Sequence, residues 1–143
     1  MIKEIDIKAQ CELVIPTLSC CIYKPTSDKL ESILTTYIES DNKKLYGNYF
    51  SGSLIGLIGI TSNGSEVEIN HLAVNLEFRM KGTGKQLVYF ILNEYPDKRV
   101  FLETDDEAVE FYKSIGFQIN HLGEKYPGNP RYLCIWKNEG KSE

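Results

Sequence analysis

Residues 79–85 read Arg-Met-Lys-Gly-Thr-Gly-Lys, and this stretch decides how the rest of the sequence is interpreted. It follows a strand-like run that ends at Val74 and opens an apolar-periodic segment that predicts a helix from Gly82 to Tyr95. A helix start attracts anions because its first backbone N–H groups have no partner and its dipole is positive there. Gly82 and Gly84 leave space for phosphate oxygens to approach the backbone, and three basic residues lie close by. The stretch is therefore predicted to bind a pyrophosphate.

Three kinds of phosphate-binding loop compete for this stretch. A Walker loop requires Ser or Thr after its lysine, whereas Gln86 follows Lys85, and the first glycine of that motif is missing. A dinucleotide-binding loop requires a third glycine where Leu87 stands, and it lies near the start of a parallel sheet. The third pattern, Arg-x-x-Gly-x-Gly, fits residues 79–84. A glycine-rich helix start with solvated basic side chains and no ligand is the plain structural alternative.

The segments that flank the loop narrow this choice. Before it stands the strand-like run Glu68-Ile-Asn-His-Leu-Ala-Val74, and after it come a helix, a short strand and Ala108-Val-Glu-Phe-Tyr112-Lys-Ser-Ile-Gly116-Phe117. Together with Arg-x-x-Gly-x-Gly, this order of motifs resembles the acyl-CoA-binding core of the GNAT acetyltransferase superfamily. The resemblance extends over roughly residues 44–137 and is specific mainly within residues 66–117.

The resemblance implies a GNAT fold with acetyl-CoA as co-substrate. It also implies that the backbone of Leu72 to Val74 pairs with the pantetheine arm as an added strand between two splayed parallel strands. The cofactor-binding residues expected from it are Leu72, Ala73, Val74, Arg79, Met80, Lys81, Gly82, Thr83, Gly84, Lys85 and Tyr112. Many relatives carry an Asn where Asp105 stands, and a carboxylate is unfavourable beside phosphates, so Asp105 is not assigned to the cofactor.

Two side chains are candidates for proton transfer. In the family, the tyrosine that matches Tyr112 lies by the cofactor sulfur, where a phenol of pKa about 10 can protonate a departing thiolate; packing in an apolar helix stripe is the alternative. Glu68 stands where some members carry a catalytic glutamate, and an exposed strand carboxylate is the alternative. Regular alternation puts His71 on the face opposite Glu68, which favours a structural role, although a bulge, common in this strand of the family, would alter that parity. Glu103 is a further carboxylate that could hold a cationic substrate.

The function implied is transfer of the acetyl group of acetyl-CoA to a primary amine. The acceptor is expected to be a small molecule, a peptide N-terminus or a lysine, with direct transfer in a ternary complex. A non-catalytic acyl-CoA-binding or protein-interaction module is the main alternative, and an α/β domain without cofactor is the third. Acceptor recognition is expected from the N-terminal helices and from a loop at Glu124–Arg131.

The composition of the chain limits the classes of protein to which it can belong. The chain has 143 residues, 42% of them hydrophobic and 25% charged, which predicts one globular domain over residues 1–143. A net charge of −4 argues against a general nucleic-acid partner, and the short apolar run at Leu54–Ile60 argues against a membrane span. Four cysteines and two histidines match no zinc spacing, so we expect free thiols, no metal and a cytoplasmic location. A homodimer stays open.

The segmental patterns predict a mixed α/β (α+β) fold, with a central sheet of about six to seven strands flanked by about four helices. Predicted strands are 2–7, 44–50, 53–61, 66–74, 99–103, 117–122 and 131–137, and predicted helices are 27–39, 82–95 and 104–115. Residues 11–23 are either one kinked helix or two turns because of Pro16. Ser27 and the box Thr104-x-x-Glu107 are the expected helix caps, and residues 138–143 are an expected frayed tail.

Overall fold

The computed structural model describes residues 1–137, so the expected tail at 138–143 lies outside the described residues. Within them the chain forms a seven-stranded sheet and four helices, which confirms the predicted mixed α/β fold. The elements are β1 Ile2–Glu4, α1 Ile7–Ser19, α2 Ser27–Glu39, β2 Lys43–Phe50, β3 Ser53–Asn63, β4 Glu66–Val74, α3 Thr83–Glu94, β5 Arg99–Asp105, α4 Val109–Ile115, β6 Gln118–Tyr126 and β7 Asn129–Trp136. A short 3-10 turn at Leu76–Phe78 precedes the glycine loop.

The strands are ordered β1-β2-β3-β4-β5-β7-β6, and every neighbouring pair is antiparallel except the parallel pair β4–β5. That pair is short: β4 and β5 match at three positions only, the last being Glu68 opposite Phe101. Beyond this point β5 continues its pairing with β7 as far as Asp105, while β4 continues along β3 to Val74. The two strands therefore diverge, and a wedge opens in the middle of the sheet.

Two apolar clusters cover the two faces of the sheet. On one face, α1 and α2 pack Val14, Leu18 and Tyr37 against Leu45 and Leu57. On the other face, α3 and α4 pack against the side chains of β3 to β5 and β7 that point inward, and together they form the larger cluster. Its members include Ile58 and Ile60 of β3, Leu87 and Ile91 of α3, and Tyr112 of α4. We refer to these as the α1/α2 face and the α3/α4 face. The wedge between β4 and β5 connects them.

A β-bulge changes the direction of the side chains within β4. His71 lies opposite Gly59, but the next pair is Ile69 opposite Ile60, so the β3–β4 ladder skips Asn70. Regular alternation is therefore wrong beyond Ile69, and His71 turns to the α1/α2 face, where it meets Tyr37. His71 pairs with Gly59 on β3, and Glu68 pairs with Thr61. Gly59 and Thr61 are two residues apart and so share a face of the sheet, which puts the side chains of His71 and Glu68 on this same face.

The N-terminal third differs from prediction in its boundaries. The first strand ends at Glu4 because Asp6 caps α1, its carboxylate accepting the N–H of Ala9. α1 is one kinked helix that continues through Pro16, with its non-helical residue at Gln10. α2 has the predicted bounds, but the cap is Thr26 rather than Ser27, since the Thr26 hydroxyl accepts the N–H of Lys29.

The C-terminal third contradicts two predictions. The box Thr104-x-x-Glu107 does not cap a helix, because Thr104 pairs with β7 and α4 begins only at Val109. Asp105 takes part of this role, its carboxylate accepting the N–H groups of Glu107 and Ala108. The expected loop at Glu124–Arg131 is mostly the tip of the β6–β7 hairpin, whose strands run on to Tyr126 and resume at Asn129.

Tyr37 lies directly over Gly59, where a Cβ atom would overlap the phenol hydroxyl. We expect Gly59→Ala to lower the free energy of unfolding by about 1–3 kcal/mol, because Tyr37 would have to leave its buried position. Urea unfolding measures this loss. In a Tyr37→Leu background the same change should cost much less, and additive costs in the double mutant would contradict the overlap.

Candidate functional site

The glycine loop has the geometry of an anion site. Gly82 is the N-cap of α3 in the left-handed region, with φ of +85°, and nothing lies within 4 Å of where its Cβ would stand. The N–H groups of the first turn of α3 have no intrahelical partner. Arg79, Lys81 and Lys85 are exposed, and none of them forms an ion pair with any residue of 1–137. The loop thus combines free donors with three uncompensated cations.

A cavity of about 700 Å³ lies beside this loop, and we call it the loop cavity. Its volume is typical of small-molecule sites. Its lining contains ten of the eleven residues predicted to bind the cofactor, namely Leu72, Ala73, Val74, Arg79, Met80, Gly82, Thr83, Gly84, Lys85 and Tyr112. Lys81 is the exception, and its Nζ lies over the Phe78 ring, 5.6 Å from the centroid.

Four lining residues were missed by sequence reasoning: Cys20, Phe78, Ala108 and Phe111. Ala108 and Phe111 belong to the motif around Tyr112, and their one-turn spacing in the sequence was a usable signal. Cys20 comes from the end of α1, more than fifty residues before the loop, so no local pattern connects it with the cavity.

A second cavity, of about 240 Å³, occupies the wedge where β4 and β5 diverge, and we call it the wedge cavity. It is lined by Cys21, Ile69, Asn70, His71, Leu72, Leu102, Glu103, Thr104, Asp105, Ala108 and Tyr112. Three of these, Leu72, Ala108 and Tyr112, also line the loop cavity, so the two cavities adjoin at Tyr112. A ligand in one cavity can therefore meet a ligand in the other at this residue.

Tyr112 is buried, with 5% of its surface exposed, and its hydroxyl forms no hydrogen bond with any residue of 1–137. Its ring is held edge-on between Phe111 and Phe117. Burial raises the pKa of Tyr112 well above its usual value, and the nearby Cys134 and Cys21 thiols add to the rise. The phenol is therefore protonated at neutral pH, with a donor that is free at the junction of the cavities.

His71 lies on the wall of the wedge cavity, and its Nδ1 is 2.6 Å from the Tyr37 hydroxyl. Burial lowers the pKa of His71, and the Lys43 ammonium lowers it further. Burial raises the pKa of Tyr37, with Cys21 and Glu68 adding to the rise. The expected separation of His71 from Glu68 on opposite faces is thus wrong, because the bulge at Asn70 brings them to one face.

The other candidates lie further out. Glu68 is half-buried at the last β4–β5 pair and lines neither cavity. The next residue, Ile69, lines the wedge cavity. Glu103 is exposed on the wedge cavity and accepts a hydrogen bond from Arg131 at 3.0 Å. His121 is exposed on β6 with its ring against Tyr132.

The four cysteines are free thiols. Cys20 lies at the loop cavity and Cys21 at the wedge cavity, where burial raises the pKa of Cys21 to about 11. Within residues 1–137 no group of three or more His, Cys, Asp or Glu is arranged to hold a metal ion. In that same part of the chain, no helix has both the length and the apolar character needed to cross a membrane.

Comparison with known proteins identifies this architecture. Residues 24–125 match the family model described as an acetyltransferase (GNAT) domain. An uncharacterised N-acetyltransferase in the lysA 3′ region of Bacillus methanolicus is 36% identical over 73 residues, which cover 50% of this chain and 61% of that protein. The chain thus matches about three-fifths of that relative's length.

Solved structures agree in fold. An aminoglycoside 6′-N-acetyltransferase complexed with coenzyme A has a TM-score of 0.76 at 18% identity, over 95% of this chain and 96% of that chain. The ribosomal-protein-S18-alanine N-acetyltransferase from Escherichia coli has a TM-score of 0.77 at 14% identity, over 94% of this chain and 91% of that chain. These likenesses show the fold expected from the sequence motifs.

The lowered pKa of His71 has a consequence for stability. In the unfolded chain this pKa returns to about 6.5, so the unfolded state binds more protons than the folded state as pH falls through this value. The contribution of a neutral His71 is therefore fully present above about pH 6.5 and is lost as pH falls below it. We expect the urea-unfolding midpoint of the wild type to drop between about pH 7.5 and about pH 5.5 more than that of His71→Gln.

His121→Gln is the matched control, because it removes the other histidine from an exposed position. This variant should show the same drop as the wild type. Equal drops in the wild type and in His71→Gln would contradict a desolvated His71.

Proposed function

The chain belongs to the GNAT acetyltransferase family, and from that premise we propose that it transfers the acetyl group of acetyl-CoA to a primary amine by direct attack in a ternary complex. The observation that carries the proposal is the junction of two cavities at Tyr112, one beside an anion-binding loop and one open to the wedge in the sheet. Two reactants held in adjoining cavities are close enough for direct attack, so the transfer needs no covalent enzyme intermediate.

The loop cavity fits the cofactor in charge and shape. The three unpaired cations and the free N–H groups at α3 suit a pyrophosphate, and the left-handed Gly82 keeps the approach to them open. Leu72 to Val74 have no ladder partner on β5, so the backbone groups of this segment that point away from β3 are available to the amide groups of the pantetheine arm. The exception is the Val74 carbonyl, which accepts a hydrogen bond from Arg79 Nε at 3.2 Å. Acetyl-CoA supplies a thioester, whose acyl carbon is activated toward attack by an amine.

Tyr112 is proposed as the proton donor to the departing sulfur. Its hydroxyl is protonated, lacks a hydrogen-bond partner within residues 1–137, and lies where the cavities meet. The low solvation that raises the pKa of this phenol also raises that of a thiol facing it, so the two pKa values shift in the same direction. Tyr112 donates a hydrogen bond as the C–S bond lengthens and hands over the proton as it breaks.

Glu68 is the carboxylate that the sequence suggests as a base. It lies on the α1/α2 face beside the wedge but outside the cavity lining, so it would reach the amine only through a bridging water. Glu103 is proposed to attract a cationic acceptor to the wedge cavity, with Arg131 offsetting part of its charge.

The acceptor is proposed to be an amine of a small molecule or of a peptide. The names of the two solved relatives support this range, since one acts on an aminoglycoside and the other on a protein alanine. We also propose a single domain over residues 1–143 and a cytoplasmic location, where free thiols persist. A homodimer is compatible with these features.

Gly82 provides a test of cofactor binding. We expect Gly82→Leu to weaken binding of coenzyme A at least tenfold, measured by isothermal titration, because its side chain would enter the open space that admits phosphate oxygens. Gly52→Leu is the matched control: Gly52 has φ of +81° and open space around it, in the β2–β3 turn. Both variants should lose about 1–2 kcal/mol of stability, and only Gly82→Leu should lose affinity. Equal affinity in the two variants would argue against this loop as the anchor.

Tyr112 provides a test of turnover. We expect Tyr112→Phe to keep the affinity for acetyl-CoA and to lower kcat about 100-fold, measured as thiol release over a panel of amines. Tyr46→Phe is the matched control, because Tyr46 is also 5% exposed but its hydroxyl bonds to Tyr95 away from both cavities. An unchanged kcat in Tyr112→Phe would remove the proton-donor role. Tight cofactor binding by the wild type without thiol release from any amine would favour the non-catalytic module.

A further inference from the structure

The wall of the wedge cavity carries an imidazole that the proposed reaction has not yet used. The sequence contains two histidines, and His71 is the one that lines this cavity. We propose that His71, held in place by the Tyr37 hydroxyl, is the catalytic residue that takes the proton from the attacking amine. The inference rests on the proposed acetyl transfer and assigns its base.

The orientation of His71 is built into the fold. The bulge at Asn70 turns the side chain to the α1/α2 face, and Tyr37 of α2 meets its Nδ1 at 2.6 Å. Tyr37 is itself 5% exposed and is seated over Gly59, which leaves room for its hydroxyl by having no Cβ. Because Nδ1 is engaged by Tyr37, Nε2 is the nitrogen left for a ligand in the wedge cavity.

The bulge is stabilised by a chain of side-chain hydrogen bonds that comes from β2 and β3. Lys43 of β2 donates to the Thr61 hydroxyl at 2.6 Å, and this hydroxyl donates to the Asn70 side-chain oxygen at 2.5 Å. This chain engages the side-chain oxygen of the bulged residue, Asn70, which also lines the cavity. Among the side chains of β4 that line the cavity, that of His71 is the one that is a base near neutral pH.

The protons balance without a further reactant. The amino group that attacks is neutral at that moment, whereas Glu103 faces any other ammonium group of the acceptor. The N–H groups of the attacking nitrogen become strongly acidic as the C–N bond forms. One of these protons passes to Nε2 of His71, while the Tyr112 hydroxyl gives a proton to the sulfur as the C–S bond breaks. The proposal assigns the resting tautomer with the proton on Nδ1, which donates to the Tyr37 oxygen both before and after the transfer. The imidazolium and the Tyr112 phenolate are then reset by exchange with water.

The surroundings of His71 keep its imidazole in the neutral form that this step requires. Burial and the Lys43 ammonium hold the pKa of His71 below its usual value, so the imidazole is neutral and able to accept a proton at neutral pH. The titratable groups that face it from the packed elements are Cys21 after α1, Tyr37 on α2, Lys43 on β2, Glu68 on β4, Glu103 and Asp105 on β5 and Tyr112 on α4. The thiol and the two phenols of this group stay protonated near neutrality, since burial raises the pKa of Cys21, Tyr37 and Tyr112.

The test is the pH dependence of kcat at saturating acetyl-CoA and amine. In the wild type we expect kcat to rise with pH along an acid limb with its midpoint below about 6.5. His71→Gln should lower kcat about 100-fold and abolish that limb, whereas the affinity for coenzyme A stays unchanged. His121→Gln should leave both the limb and kcat as in the wild type. Tyr37→Phe, which alters a positioning residue, should retain the limb with a shifted midpoint and a smaller loss of kcat.

Three results would overturn the inference. The first is an acid limb that survives in His71→Gln, and the second is a limb that disappears in Glu68→Gln, which would make Glu68 the base. The third comes from an NMR titration of the wild type in its coenzyme A complex, with the His71 resonance identified by comparison with His121→Gln. The inference fails if the midpoint of this titration differs from the midpoint of the acid limb of kcat. A wild type that binds coenzyme A but releases no thiol with any amine would instead refute the proposed function, so the two failures are distinguishable.

Discussion

The short parallel pairing of β4 with β5 is the constraint on which the rest of the site depends. Each strand has a longer ladder on its outer side, with β3 for β4 and with β7 for β5, and these ladders continue after the shared pairing has stopped at Glu68 and Phe101. Backbone groups on the inner edges are thereby left without a sheet partner, which is costly unless water or a ligand satisfies them. The fold accepts that cost at the place where both cavities meet.

The glycine loop and the Tyr112 motif could be predicted from sequence because both depend on local rules. A glycine in the left-handed region at a helix N-cap and a tyrosine in an apolar helix stripe are specified within one or two turns of chain. Ten of the eleven expected lining residues follow from these two segments and from β4. The parallel pair also followed, since a strand reached through a helix is normally parallel to the strand before it.

The resemblance made a bulge in β4 an alternative to regular alternation, but the position of the bulge and the start of α4 could not be predicted, because partners distant in sequence decide them. The run from Glu68 to Val74 alternates whether or not one residue is skipped, and the skip at Asn70 depends on its hydrogen bond with Thr61 of β3. Thr104 to Glu107 satisfies a local capping rule, yet pairing with β7 keeps Thr104 in the strand. Both errors concern residues that line the wedge cavity, which is why the position of His71 on its wall could not be predicted from the sequence.

One physical cause, removal from water, sets the protonation states of the groups around the two cavities. It raises the pKa values of the Tyr112 and Tyr37 phenols and of the Cys21 thiol, and it lowers that of the His71 imidazole, so each of these groups is neutral at neutral pH. The cations of the glycine loop, in contrast, are exposed, so water solvates their charges and phosphates can bind to them. Attack by a neutral amine on a thioester yields a neutral amide and a neutral thiol, so no net charge has to be created in the poorly solvated centre. A buried site made of uncharged donors and acceptors is therefore suited to this reaction, provided that one group accepts a proton while another donates one. Two rings line the wedge cavity: the His71 imidazole can accept a proton, and the Tyr112 phenol can donate one.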